Sequence, residues 1–497
     1  MSLKSLLALP FALKVKKGID KWATNPIATQ ERVFQELIST AVSTEFGKDH
    51  NFVSIKNHDD FVKQVPIRDY EQLRPYVDKV VAGESDILWP NKPLYFAKTS
   101  GTTSGAKYIP ITKESMPTHI ANARNAIMCY IAETKNTKFV DGKMIFLQGS
   151  PVLSEQNGIN LGRLSGIVAH YVPKYLLKNR LPSWETNCIE DWETKVNAIV
   201  EETVSENMSI ISGIPSWVQM YFEKLVENTK QPVGELFKNF NLFIYGGVNY
   251  EPYRNKFENL IGRKVDSIEL YPASEGFFAF QDSQKEKGML LQLNSGIFYE
   301  FIKVTDFSKD NAKRITLKDV EVGVNYVMII STTAGLWAYN IGDTVQFTST
   351  NPYRVIVSGR IKHFISAFGE HVIAKEVEQA LQEAVEGTEV RINEFTVAPQ
   401  ITPEKGLPYH EWFIEFENEP EDMDVFSNKI DLALQQQNTY YFDLIDGKVL
   451  RPLVITKIIT NGFQNYMKSI GKLGGQNKLP RLSDNRSIAD KLSKFCI

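Results

Sequence analysis

The chain has 497 residues, enough for two or three domains of ordinary size, and is 43% hydrophobic and 23% charged, the balance of a soluble globular protein. Its formal net charge of -3 leaves no global basic field, which argues against nucleic acid as a partner. Cys129, Cys188 and Cys496 are far apart, with no CxxC pair, and the seven histidines form no HxxxH cluster. Neither a disulfide framework nor a zinc site is therefore expected, and a reducing, cytoplasmic compartment fits.

At the N-terminus the apolar run Leu6 to Leu13 is too short to span a bilayer. With Lys14, Lys16 and Lys17 behind it, the segment reads either as a basic amphipathic helix at a membrane surface or as a helix packed on the body, the second being preferred. Residues 31–46 carry Val33, Phe34, Leu37, Ile38, Ala41 and Val42 at helical spacing, with Gly47 as the expected stop. Residues 94–97 read as a short strand entering a polar loop at 98–106. Thr112 is expected to cap a helix to about residue 133, with Ile120, Ile127, Met128 and Ile131 on its buried side.

Strands and helices then alternate. Strands are expected at 144–147, 209–212, 242–245 and 267–271, and helices at 189–206, from Pro215 to about 228, and at 251–261. Such alternation implies an α/β domain with a substantial sheet, whose ligand lies beyond the carboxyl ends of its strands. The pattern changes near Arg360–Lys362. Beyond it a helix at 375–384, strands through Val390, Ile392, Phe395 and Val397 and at 412–417, a helix at 421–437 and a strand at 453–459 make a small α+β unit. The domains are thus 1–360 and 361–497, joined by a short ordered hinge, because no Gly/Ser- or Pro-rich linker is present.

Six short motifs carry chemistry. Thr99 to Lys107 (TSGTTSGAK) offers backbone amides, hydroxyls and one cation to a polyphosphate, without Walker A spacing. Gly246 and Gly247 close one predicted strand, and Tyr271-Pro272-Ala273-Ser274-Glu275-Gly276 closes the next. There a flat ligand can lie on the glycines, Tyr271 can stack on a base, and Glu275 can hold Mg²⁺. Asp343, in Tyr339-Asn340-Ile341-Gly342-Asp343, can accept two ribose hydroxyls. Arg360 can reach ribose or phosphate, and Lys478, in Gln476 to Arg481 (QNKLPR), can swing into a cleft from its glycine-rich approach. Each taken alone is also an ordinary turn or surface residue.

The order of the six resembles the adenylate-forming superfamily of acyl- and aryl-CoA synthetases, luciferases and peptide-synthetase adenylation domains. Within it, TSGTTSG, GGVNYEPY, YPASE, YNIGD and QNKLPR look most like the Gretchen Hagen acyl acid amido synthetases, the auxin-responsive plant-named enzymes that join amino acids to jasmonate, auxin or benzoates. Asn340 stands where the plant pattern usually has arginine.

The resemblance implies an α/β fold. A large N-terminal adenylate-forming domain of mixed sheets and helices would bind ATP and the acid, and a small mobile α+β C-terminal lid would carry the catalytic lysine. It implies ATP and Mg²⁺ as cofactors, with a small-molecule carboxylic acid and an amino acid or other amine as substrates. Ser100, Gly101, Thr102, Thr103 and Lys107 would hold the β- and γ-phosphates, Gly246 and Gly247 would flank adenine, and Tyr271 would stack on it. Ser274 would lie near the α-phosphate, Glu275 on Mg²⁺, Asp343 on ribose and Arg360 on ribose or phosphate. Lys478 would stabilise the charge of adenylation and Lys362 would be the hinge. Ile214, Pro215 and Trp217 are candidates for the acid pocket, and also for plain capping and core packing. Two alternatives stand beside an acid–amino acid ligase: an acyl-CoA or aryl-CoA ligase, and a nucleotide-binding scaffold without catalysis.

Overall fold

The computed structural model describes residues 3–99, 107–172, 177–247, 250–307, 309, 312–361, 364–365, 372–446, 449–474 and 478–497. The chain divides into two units, Met1–Val248 with Lys264–Ile356, and Asn249–Arg263 with Val357–Ile497. The expected single cut near residue 360 therefore differs in one respect: the stretch Asn249–Arg263 groups with the C-terminal residues. The reason is local. Tyr253 of that stretch bonds Arg481, and Lys256 pairs with Glu417 at 2.9 Å.

In the first unit, parallel strands Arg180–Leu181, Lys143–Phe146, Met208–Ser212, Leu242–Gly246 and Asp266–Ala273 lie side by side. The sheet continues, largely as antiparallel hairpins, through Gly276–Phe280, Met289–Leu291, Tyr353–Arg360, Tyr339–Thr350, Asn325–Thr332 and Ile297–Lys303. Helices Leu3–Ala23 and Met116–Thr134 pack on one another and on the sheet, with Ala12, Ile19, Cys129, Tyr130, Ile244 and Phe280 in one apolar cluster. A smaller sheet holds the hairpin Tyr95–Thr99/Lys107–Ile111 beside Ile159–Gly162.

Helix ends differ from expectation in two places. The helix expected over 31–46 runs Pro26–Ala41 and stops before Gly47, because Thr44 starts a second short helix, Glu45–Asp49, by accepting from the Gly47 amide. Gly47 is inside a helix, not after one. Thr112 does not cap the helix Met116–Thr134. Its hydroxyl accepts from the Ser115 amide and donates to the Thr333 carbonyl, so it fastens the turn before the helix. The buried stripe of that helix runs through His119, Asn122, Ala126, Cys129 and Tyr130. Of the four expected residues, Ile131 alone is fully buried.

The second unit is a three-stranded sheet in the order Arg391–Gln400, Tyr409–Asn418, Val454–Lys457. Side chains alternate across it. Val397, Trp412 and Ile414 face helices Ala374–Val385 and Met423–Gln437, while Ala398 and Phe413 face Phe463, Tyr466 and Leu492.

Candidate active site

Parallel strands end on the same side, so their carboxyl-terminal residues gather along one sheet edge. Here Ser212 stands beside Ile244 and Gly246 beside Leu270. A Cβ on Gly246 would sit 2.4 Å from the Leu270 carbonyl oxygen, so only glycine lets the two strands close at this point. The next strand runs one residue further, to Tyr271, and on to Ala273. Ala273 pairs with Gly276, which leaves Ser274 and Glu275 as a two-residue hairpin tip, both half-buried.

Asp343 reaches the same edge from the antiparallel half of the sheet. Asn340 pairs with Ile329 and Thr344 with Val327, so Ile341, Gly342 and Asp343 bulge against a single residue. Gly342 takes φ +84° with open space where a Cβ would be, so the demand there is conformational and not steric. Its amide donates to Asn340 Oδ1 at 2.9 Å. The bulge delivers the Asp343 carboxylate to Tyr271, whose hydroxyl donates to Oδ2 at 2.7 Å. Both residues are 7% exposed, and the Tyr271 ring packs edge-on to Phe278 with centroids 5.1 Å apart. Two motifs 72 residues apart thus share one hydrogen bond.

Ser100, Gly101, Thr102 and Thr103 lie outside the described residues. The strands that bracket them are paired, Thr99 with Lys107, and Lys107 holds its ammonium 5.5 Å over the Tyr70 ring. Ile214 and Pro215 start a helix at the end of Met208–Ser212, where the Gly213 amide donates to the Ile244 carbonyl. Trp217, on that helix, is buried against Trp192 at 4.7 Å between centroids, so its ring is engaged in packing.

In the second unit Arg360 is exposed at the end of its strand, and Lys362 lies outside the described residues. Lys478 is exposed on a coil segment. Residues 480–483, just beyond it, are held firmly. The Thr396 hydroxyl donates to the Pro480 carbonyl, the Val397 amide to the Arg481 carbonyl, and the Ser483 amide to the Val397 carbonyl. Arg481 itself is buried, paired with Glu394 and with Glu378 at 3.4 Å. It donates to the Tyr253 hydroxyl at 2.5 Å and lies 4.6 Å over the Phe395 ring. Burial works against its charge, but Glu394, the Tyr253 hydroxyl and Glu378 outweigh burial and hold the guanidinium protonated. Sequence reading missed this anchor. The sequence shows only its place, closing the motif that carries Lys478, and not its burial.

Glu275 suits the cation that comes with a nucleotide. Among the described residues no group of three or more His, Cys, Asp or Glu stands together. Mg²⁺ uses one or two protein carboxylates and completes its shell with phosphate and water oxygens, and a single carboxylate on a hairpin tip meets that demand.

Residues 15–188 match the GH3 family N-terminal domain, 290–360 the GH3 family central domain and 375–487 the GH3 family C-terminal domain. The chain belongs to the GH3 family. Its GH3 relatives are acyl acid amido synthetases. A jasmonoyl–L-amino acid synthetase, GH3.5 of Oryza sativa subsp. japonica, is 21% identical, with 94% of each chain covered. The indole-3-acetic acid-amido synthetase GH3.3 of Arabidopsis thaliana is also 21% identical, over 94% of this chain and 91% of the relative. Among solved structures, the GH3.15 acyl acid amido synthetase superposes with a TM-score of 0.78 at 17% identity, covering 97% of this chain and 96% of that one. A 2-hydroxyisobutyryl-CoA ligase in the postadenylation state gives 0.60 at 14% identity, covering 94% and 91%. These two likenesses show the fold, a mixed α/β architecture with a separate C-terminal domain.

Proposed function

We propose that this chain activates a small-molecule carboxylic acid with ATP and Mg²⁺ as an acyl-adenylate, releasing pyrophosphate, and passes the acyl group to the amine of an amino acid, releasing AMP. The observation that carries this reading is the Tyr271–Asp343 hydrogen bond, made where ligands bind in open α/β sheets, at the carboxyl ends of the parallel strands. The amino acid-conjugating relatives support it.

In this reading Tyr271 orients the Asp343 carboxylate for the ribose hydroxyls, and the backbone at Gly246 and Gly247 lies flat beside adenine. Ser274 bonds the α-phosphate, and Glu275 holds Mg²⁺, which supplies positive charge to the phosphates. Ser100, Gly101, Thr102, Thr103 and Lys107 grip the β- and γ-phosphates, and Arg360 takes ribose or phosphate. Carboxylate attack on the α-phosphorus brings anions together, so preorganised cations and amide donors are needed there. Lys478 is the cation brought by the lid, and Ile214, Pro215 and Trp217 border the acid.

Residues 1–360 serve as the ATP- and acid-binding part and 361–497 as the lid. Because Asn249–Arg263 groups with the C-terminal unit, the chain passes between the two units three times. A rotation about Lys362 therefore has to accommodate two further crossings. Three unpaired cysteines fit a cytoplasmic setting. Among the described residues no helix is long and apolar enough to cross a membrane.

The acceptor decides between the amide-forming reading and a CoA ligase, to which the fold likeness of the hydroxyisobutyryl-CoA ligase points. The enzyme is incubated with ATP, Mg²⁺ and an acid, then with single amino acids or with CoA, and products are read by mass. Amino acids are expected to speed AMP release and appear in an amide. Stimulation by CoA alone, with a thioester product, would replace this reading by the second.

A further inference from the structure

The N-terminal helix Leu3–Ala23 has two working faces. One is seated in the core through Ala12, Ile19 and Ala23, with Ala8, Leu9, Val15 and Trp22 alongside. The other is exposed and apolar in its first half: Leu6 and Leu7 are 58% exposed, Phe11 and Leu13 47%. At helical spacing, Leu6, Leu7 and Phe11 spread over an arc of about 140°, and Lys14, Lys17 and Lys21 continue within that arc along the second half. All three lysines are exposed, as is Lys4. The helix's one acid, Asp20, is paired with Lys16. A chain of net charge -3 has thus placed five lysines against one aspartate on a single helix. Exposed Leu177 and Lys178 lie next to Asn179, which accepts from the Lys4 ammonium.

We propose that this face docks the protein on an anionic lipid surface. The helix lies in the plane of the interface, with Leu6, Leu7 and Phe11 at the acyl boundary and the lysine ammonium groups among acidic headgroups. Charge complementarity selects the occupant. Leucine and phenylalanine side chains followed by long, flexible lysines on one arc suit a fluid surface that presents negative charge everywhere, and need no matched carboxylates. Packing of the helix on the body and contact with a membrane use opposite sides and do not compete.

The test is flotation of the full-length protein with vesicles of phosphatidylcholine alone or with about 30 mol % phosphatidylglycerol. Binding is expected to the anionic vesicles only, and to weaken in about 0.5 M salt, where the screening length falls to a few ångströms. Two exposed-face variants, Leu6→Ser/Leu7→Ser/Phe11→Ser and Lys14→Glu/Lys17→Glu/Lys21→Glu, are each expected to lower the bound fraction at least about tenfold while circular dichroism and ligase activity stay unchanged. Failure of the wild type to float with anionic vesicles would overturn the proposal, as would equal binding to neutral vesicles or variants that bind like wild type. Sedimentation velocity gives the rival outcome. A dimer that dissociates in the serine variant, without vesicle binding, would assign the face to a second copy instead.

Discussion

In the first unit, Tyr271, the Ser274–Glu275 tip and Asp343 ride on strands whose register is set by backbone hydrogen bonds across a wide sheet. In the second, Lys478 sits on coil just before the strapped residues 480–483 and the buried Arg481. The first arrangement is distributed, so no single side chain carries it. The second is concentrated in one guanidinium with two carboxylates and a phenol around it. On the proposed roles, a lattice would suit groups that keep a fixed distance from a nucleotide, and a single anchor beside a coil would suit a lysine that is presented and withdrawn.

Arg481→Met breaks this comparison most severely. It leaves the partly buried Glu394 and Glu378 without their cation and should cost about 2 to 4 kcal/mol, toward the low end of a broken buried pair. Urea unfolding should show the loss, with hydrogen exchange placing it in Tyr409–Asn418 and its neighbours. Unchanged stability would mean the anchor is not one.

Acidity separates the units by sign. Burial lowers His119, in the first unit, from its ordinary 6.5 to about 4. The unfolded chain therefore binds a proton there that the folded chain refuses, and stability falls as pH drops from 6.5 toward 4, by about 3 kcal/mol at full titration. In the second unit burial raises Glu376 and Glu415, only partly offset by hydrogen bonds from Asn438 and Ile373 and from Asn461, Phe463 and Asn393. Their contribution is present below the unfolded carboxylate range and is lost as pH rises through the folded values. Moving from pH 7 to 5 should loosen Met116–Thr134 and not Tyr409–Asn418. Hydrogen exchange corrected for its intrinsic pH dependence reads this, and loosening of both would contradict it.

Lys478→Ala sharpens the functional side. Adenylation should slow about a hundredfold or more, the cost of losing one strong transition-state contact, with ATP affinity little changed. Full pyrophosphate exchange by the variant would remove Lys478 from the chemistry. The smallest effect belongs to the lattice. Tyr271→Phe removes one donor to a buried carboxylate, worth about 1 to 3 kcal/mol, and should raise the KM for ATP roughly tenfold at nearly constant kcat. An unaltered KM would show that Asp343 needs no help from Tyr271.

Helices such as Ala374–Val385 and Met423–Gln437 were legible because they carry a 3.6-residue period, and the parallel strands Met208–Ser212 and Leu242–Gly246 as short apolar runs between helices, whereas the helices Tyr70–Val81 and Gly462–Ser469 and the strand Lys107–Ile111 were not anticipated. The antiparallel half of the large sheet was not legible either. Residues such as Ile297–Lys303 and Asn325–Thr332 are buried on nearly every position and show no alternation to read. The motif residues were visible as residue types, but their union was not. Nothing in the spacing of Tyr271 and Asp343 announces a shared hydrogen bond, since a bulge at Gly342 creates it. Arg481 was hidden for another reason: a buried arginine and a surface one look the same until its carboxylates, 87 and 103 positions away for Glu394 and Glu378 by their numbers, are brought to it.

The most direct test is ATP–pyrophosphate exchange across a panel of carboxylic acids, with no acceptor present. The account predicts exchange that depends on one class of acid, with AMP and pyrophosphate as the nucleotide products once an amino acid is added. Acid-dependent formation of ADP and orthophosphate, or tight ATP binding with no exchange for any acid tried, including acids from cell extract, would contradict it.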